Sequence, residues 1–206
     1  MTLRQYAAIV TAIVAWGALT LQCGLIIERM TSEGATALQA IWRFVGFFTI
    51  LTNLLVAIVS SALVLRPMHP LASAPMRLAA LTAILMVGIV YSVALRAIWS
   101  PTGLQAIVDS LLHDVTPVLF LLTWIAFPHG DLRWRDMAPA ILVPLAYFAY
   151  AMTRGAFDGW YAYWFLDPSQ QSIPALAISI AILIAAFALV ATLAIWADRW
   201  LAGRRT

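Results

Sequence analysis

Apolar residues run through this chain in six long stretches, broken only by short segments holding Arg, Asp, Pro or Gly. A bilayer core takes about 20 apolar residues in helix. On that measure spans are predicted near 6–27, 44–65, 76–99, 109–127, 136–153 and 174–196. The fifth is short and carries Pro139 and Pro144, which blur its ends. The second holds "GFFTILTNLL" at residues 46–55, where Thr49, Thr52 and Asn53 interrupt an otherwise greasy run. A polar group in hydrocarbon costs free energy unless it finds a partner, so each of these needs a physical reason. The connecting segments are too short for an extramembrane domain, and no internal repeat is visible. The expected architecture is all-α: a single six-helix transmembrane bundle over residues 1–206.

Composition agrees with the pattern and adds an orientation. The 206 residues are 64% hydrophobic and 10% charged, with a mean hydropathy of +0.93. Soluble domains are about 25% charged, so a soluble fold is excluded. The first apolar run lacks a small-residue cleavage site and is long enough to span, so it reads as a retained helix. All twelve basic residues are arginines, dispersed rather than clustered, which argues against nucleic acid as a partner. Arg4, Arg66, Arg77, Arg133, Arg135, Arg199, Arg204 and Arg205 fall on one side of the predicted spans. Arg29, Arg43, Arg96 and Arg154 fall on the other, so both termini are expected in the cytoplasm. Cys23 is the single cysteine, so no intrachain disulfide forms, and no metal site of cysteine type is available.

The orientation places the polar residues of the spans mostly in the outer half. Thr49 in the second span and His113 in the fourth are expected at similar depth below the outer surface. A threonine in a membrane helix commonly bonds back to the carbonyl three or four residues earlier. Asn53 shares a face with Thr49 and needs several partners, whether across a helix interface or at a reacting group. His113 is the only histidine within a predicted span. An imidazole can act as general base or cap a packed interface. Asp109, four residues earlier on the same face, is placed to orient the ring, and Asp114 is less well placed. Pro117 lacks an N–H, which deprives the His113 carbonyl of its helical partner and favours a kink. Tyr91 and Arg96 belong to the same half; Arg96 either snorkels to the headgroups or holds a substrate carboxylate. The segment "DGWYAYWFLDPS", residues 158–169, is too aromatic for a solvated connector and reads as an interface anchor or a lid. Phosphate-cradling loops, zinc-protease motifs and paired intramembrane carboxylates are missing.

Three of these segments, "FFTILTN", the histidine of "LLHDVTPVLF" and "YAYWFLD", in that order and in these spans, resemble the bacterial six-helix branch of the androgen-induced family of integral-membrane proteins. The resemblance extends over nearly the whole chain in span order and loop length. Animal members are threonine hydrolases that cleave fatty acid esters of hydroxy fatty acids. The resemblance implies Thr49 as nucleophile, His113 as base, and Tyr163 and Asp167 as matches in the downstream aromatic-acid segment. Thr52 stands where the animal proteins carry an acid, and Ser110 where they carry a second histidine.

The expected function is therefore an intramembrane threonine hydrolase acting on a lipid ester from the outer leaflet. Thr49 and His113 are its catalytic pair, and Asn53, Arg96, Asp109, Tyr91, Tyr163 and Asp167 bind substrate or support the pair. Asn53 or a backbone N–H would stabilise the oxyanion. No metal or organic cofactor is implied, and the partner is a membrane lipid or fatty acid ester. The expected location is the inner (plasma) membrane. The alternative is a non-catalytic lipid- or ligand-binding membrane protein, or a transporter, on the same bundle.

Overall fold

The computed structural model describes residues 1–203 and contains helices and turns, with no strand among the described residues. Eight α-helices follow in order: α1 (Leu3–Ser32), α2 (Ala37–Phe44), α3 (Phe48–Leu65), α4 (Ala74–Val90), α5 (Gly103–Ser110), α6 (Thr116–Ala126), α7 (Met137–Asp158) and α8 (Ile173–Gly203). Two five-residue π-helical turns, Tyr91–Leu95 and Leu111–Val115, continue α4 and join α5 to α6. Six of the resulting segments are long and apolar enough to cross a membrane, and the chain is a multi-pass membrane protein. Arg204 and Arg205, counted in the charge asymmetry, lie outside the described residues.

The packing follows from side-chain size and hydrophobic coverage. Helix α4 is the central post: Leu78, Ala79, Ala80, Leu81, Ala83 and Ile84 are all buried, as befits a helix apolar on every side. Helix α1 meets α3 and α6 through Ala8, Ala15 and Ala18, small residues that let backbones approach without a hydrophobic driving force. Helix α8 instead leaves Ile178, Ile182, Leu189 and Leu193 exposed, a face suited to lipid tails. Gly159 ends α7 in the left-handed region at φ 69°, where a side chain would be strained.

Three differences from the expected spans shape the site. The segment before the second span is not part of it. Residues 37–44 form the separate helix α2, capped by Thr36, whose side chain accepts from the Gln39 N–H while Gln39 returns the bond. Helix α3 therefore begins at Phe48, not near 44, and Thr49 is its second residue. The fourth span begins at Gly103, six residues earlier than expected, so His113 is its eleventh residue. At 1.5 Å per residue His113 lies roughly 15 Å along that span. The start of α3 is level with it, recessed beneath the start of the neighbouring span. Finally, the end of the bundle whose spans were expected to hold few polar residues has a buried cluster of Arg77, His129 and Asp198.

Candidate active site

Thr49 and His113 meet. Thr49 Oγ1 lies 3.3 Å from His113 Nε2, a long contact of the kind expected before a reactant tightens it. The other ring nitrogen, Nδ1, lies 2.9 Å from the Asp109 backbone carbonyl and 3.3 Å from Asp109 Oδ1. Both are acceptors, so the hydrogen-bond pattern assigns the proton to Nδ1 and leaves the Nε2 lone pair facing the threonine hydroxyl. Asp109 is buried and accepts from two further donors: the Tyr91 hydroxyl on Oδ2, and Trp99 Nε1 at 3.2 Å on Oδ1, beside the imidazole. The Tyr91 ring stacks on the imidazole at 4.0 Å between centroids and 16° between planes, which fixes the ring's rotation.

The backbone around His113 explains Asn53. In the π turn the Thr116 N–H bonds to the Leu111 carbonyl, five residues back. The carbonyl of Leu112 would then look to residue 117, which is proline and has no N–H. Asn53 Nδ2 supplies the missing donor at 3.2 Å, and also bonds the Thr49 carbonyl at 2.8 Å. The carbonyl of His113, freed by the same proline, faces Gly88 on α4, where an added Cβ would stand 3.1 Å from it. Asn53 is thus a strut between the helices that carry Thr49 and His113. Both its amide hydrogens are engaged, which removes it as an oxyanion donor.

The start of α3 provides donors instead. Phe47 occupies the N-cap and has no side-chain cap to offer, so the first N–H groups of the helix look outward. The Thr49 N–H points at the Tyr163 hydroxyl at 3.4 Å, and the same hydroxyl is 3.5 Å from Thr49 Oγ1. Tyr163 comes from the aromatic segment after α7, which therefore covers the site. Its ring stacks on Phe165 and meets Phe47 edge-on. Burial pushes the Tyr163 phenol above its ordinary range, so it remains a protonated donor.

Two expected site residues stand elsewhere. Arg96 pairs with Asp114 and lies over the outer side of the Tyr91 ring, 4.8 Å from its centroid. It lines neither of the cavities at Thr49, because the acid one turn-step away from the histidine face captures it. Asp167 turns back onto its own loop, where the Ser169 hydroxyl and N–H and then Gln170 hold its carboxyl below the usual carboxylate range. Trp99 and Arg43, neither of them an expected site residue, also line the larger cavity.

Both cavities share Thr49, Tyr91, Leu95, His113 and Tyr163 on their walls. The larger, about 570 Å³, reaches from the dyad to Arg29, Glu33 and Arg43 at the ends of α1 and α2. That volume lies within the roughly 300–1,000 Å³ of small-molecule sites. The smaller is a crevice of about 40 Å³ among Met86, Val90, Phe148, Leu183 and Phe187. It is far below the roughly 300–1,000 Å³ of small-molecule sites, so an acyl chain there would have to part those side chains. The described residues include no group of three or more His, Cys, Asp or Glu arranged to hold a metal. No family model, curated protein or solved structure matches this chain.

Proposed function

We propose that this protein is an intramembrane hydrolase of lipid esters in which Thr49 is the nucleophile and His113 its base. The observation that carries the reading is the alignment of Thr49 Oγ1, His113 Nε2 and the Nδ1 acceptors of Asp109 at the wall of a cavity. A threonine hydroxyl is a weak nucleophile until a neighbouring base takes its proton. As Oγ1 adds to the ester carbonyl, its proton passes to Nε2. The carbonyl π pair becomes the oxyanion, facing the Thr49 N–H and the Tyr163 hydroxyl. Collapse expels the alcohol, which leaves with the proton from Nε2, and the acyl group stays on Oγ1. Water then repeats the sequence, giving its proton to Nε2, releasing the acid and restoring the threonine.

The recessed start of α3 supports the same reading. Unpaired backbone donors at membrane depth are tolerated only where they are buried in protein or line a cavity, and these line one that contains a base. Transport fits less well, since beneath the dyad the bundle is filled by Val56, Ala57, Leu81 and Ile84. The motif resemblance to threonine hydrolases of the androgen-induced family points to the same chemistry and to a fatty acid ester as substrate. The location proposed with it is the inner (plasma) membrane, with both termini cytoplasmic.

The deciding test is covalent labelling of purified protein by a fluorophosphonate bearing a long alkyl chain. Thr49→Ala is expected to abolish labelling, whereas Thr52→Ala, whose hydroxyl is buried without a partner, retains most of it. Labelling that survives Thr49→Ala, or falls equally in both variants, refutes the assignment.

A further inference from the structure

We infer that Arg43 is the anion-binding residue of the larger cavity, and that the lipid held there carries a carboxylate or phosphate beyond its ester. The class of lipid as an ester rests on the hydrolase reading; the anion site does not.

Four cations stand at this end of the bundle, and three are neutralised. Arg29 pairs with Glu33, Arg96 with Asp114, and Arg154 with Asp158. Arg43 has no ion-pair partner among the described residues. Its nearest candidate, Asp158, is already filled: Oδ2 accepts from Arg154 Nε at 3.1 Å and Trp42 Nε1 at 2.8 Å, and Oδ1 from the Trp160 N–H at 3.0 Å. Glu33, on the same cavity wall, belongs to Arg29. Asp109, the other carboxylate of the wall, is held by Tyr91 and Trp99.

The guanidinium is also positioned rather than loose. Its Cζ lies over Trp160 at 4.1 Å from the ring centroid, and Trp160 lies in turn against Arg154 at 5.0 Å. A cation–π contact of this kind holds the guanidinium in place while its N–H groups remain available to an oxyacid. Partial burial, followed by the nearness of Arg154, weakens the hold of Arg43 on its proton. A cation disfavoured in this way gains from a bound anion. Its place on the cavity wall, which also includes Thr49, makes the cavity the space such an anion would enter.

Because Trp99, Trp160 and Trp164 line this cavity, tryptophan quenching by brominated lipids reports its occupancy. The protein is studied as Thr49→Ala in maltoside micelles, so that nothing turns over. Two matched pairs are compared: brominated stearate against brominated stearyl alcohol, and brominated lysophosphatidate against brominated monoacylglycerol. A charged hydrogen-bonded contact predicts at least about a tenfold preference for the anion in one pair, and that pair names the source. Arg43→Gln is expected to erase the preference and Arg96→Gln to leave it intact. Arg43→Met, which keeps the stem on Trp160, replaces the glutamine variant if that is recovered aggregated. Equal binding within both pairs, a preference that survives loss of the Arg43 charge, or one erased by Arg96→Gln overturns the inference. Fluorophosphonate labelling of otherwise unaltered protein is a separate readout, so a failure of catalysis is distinguishable from a failure of the anion site.

Discussion

Replacing Asp109 by Asn separates two jobs that a carboxylate beside a catalytic histidine usually performs together. In serine-protease triads the equivalent change costs about 10⁴ in rate, because the amide stabilises the wrong histidine tautomer. Here the closer acceptor of the Nδ1 proton is the Asp109 backbone carbonyl at 2.9 Å, and the side-chain oxygen is at 3.3 Å. The backbone is untouched by the substitution, so the tautomer is retained. An asparagine oxygen can still receive Trp99 and Nδ1, and the Tyr91 hydroxyl can turn to accept from the amide. What is lost is the negative charge facing the imidazolium as it forms. A hydrogen bond to a charged group contributes about 1.5–3 kcal/mol and a neutral one about 0.5–1.5 kcal/mol, a difference near 1–1.5 kcal/mol. At 1.36 kcal/mol per decade this is roughly a five- to fifteenfold loss in rate. The assay is the pseudo-first-order rate of labelling by the long-chain fluorophosphonate, with melting temperature as the control for folding. A loss of a thousandfold or more in a folded protein would mean that the carboxylate, not the backbone, sets the tautomer. No loss at all would mean that Asp109 only holds Tyr91 and Trp99 in place.

The other expectations concern the donors and the strut. Tyr163→Phe removes the hydroxyl facing Thr49 and is expected to lower the rate by about a hundredfold with little change in KM, as for other oxyanion donors; an unchanged rate constant leaves the Thr49 N–H as the sole donor. Asn53→Leu leaves the Leu112 carbonyl without a partner but also removes the buried, unpartnered Asn53 Oδ1. The net destabilisation is expected at about 1–2 kcal/mol, measured by denaturant titration in micelles, with slower labelling. Full stability with unaltered labelling would show that α3 and the π turn are held together without it.

The legible parts of this molecule were those written in long periods or in pairs of residues close together in sequence. Six apolar runs give six spanning helices because nothing else buries that much hydrocarbon and satisfies its backbone. The Asp109–His113 pairing follows from an i, i+4 spacing, and it is present even though the π turn begins between them. The start of α3 was misplaced because residues 44–47 are as apolar as the helix that follows; hydropathy does not mark where a chain turns. The signal for α2 was present in Thr36 and Gln39, a capping pair that precedes "ALQAIWRF". The partner of Arg96 was hidden for a different reason. The competition for Arg96 between a substrate and Asp114 depends on the register between the two π turns, which no local pattern encodes. The backbone N–H of Thr49 was equally invisible, since donors become available only where a helix begins.

Two buried polar clusters, at opposite ends of the bundle, differ in hydrogen-bonding character, and the contrast bears on where function resides. Asp198 has both oxygens engaged: Oδ1 by His129 Nδ1 at 3.0 Å, Oδ2 by the N–H groups of Gly130 and Leu132 at 2.9 and 3.2 Å. The far side of His129 meets the Ile125 carbonyl at 3.1 Å, and Arg77 reaches the Pro128 carbonyl at 3.2 Å. Those contacts tie the 127–132 segment to α4 and α8, and neither cavity described above reaches them. At the other end the side-chain contacts to the Thr49 hydroxyl and N–H are all 3.3 Å or longer, from His113 and twice from Tyr163. The histidine, by contrast, is held by a 2.9 Å contact from Nδ1 to the Asp109 carbonyl and by the stacked Tyr91 ring. A site built for structure alone has no reason to fix the base firmly and leave the hydroxyl it faces loosely held beside an open cavity. A site that must admit a carbonyl carbon between base, hydroxyl and donors requires that arrangement.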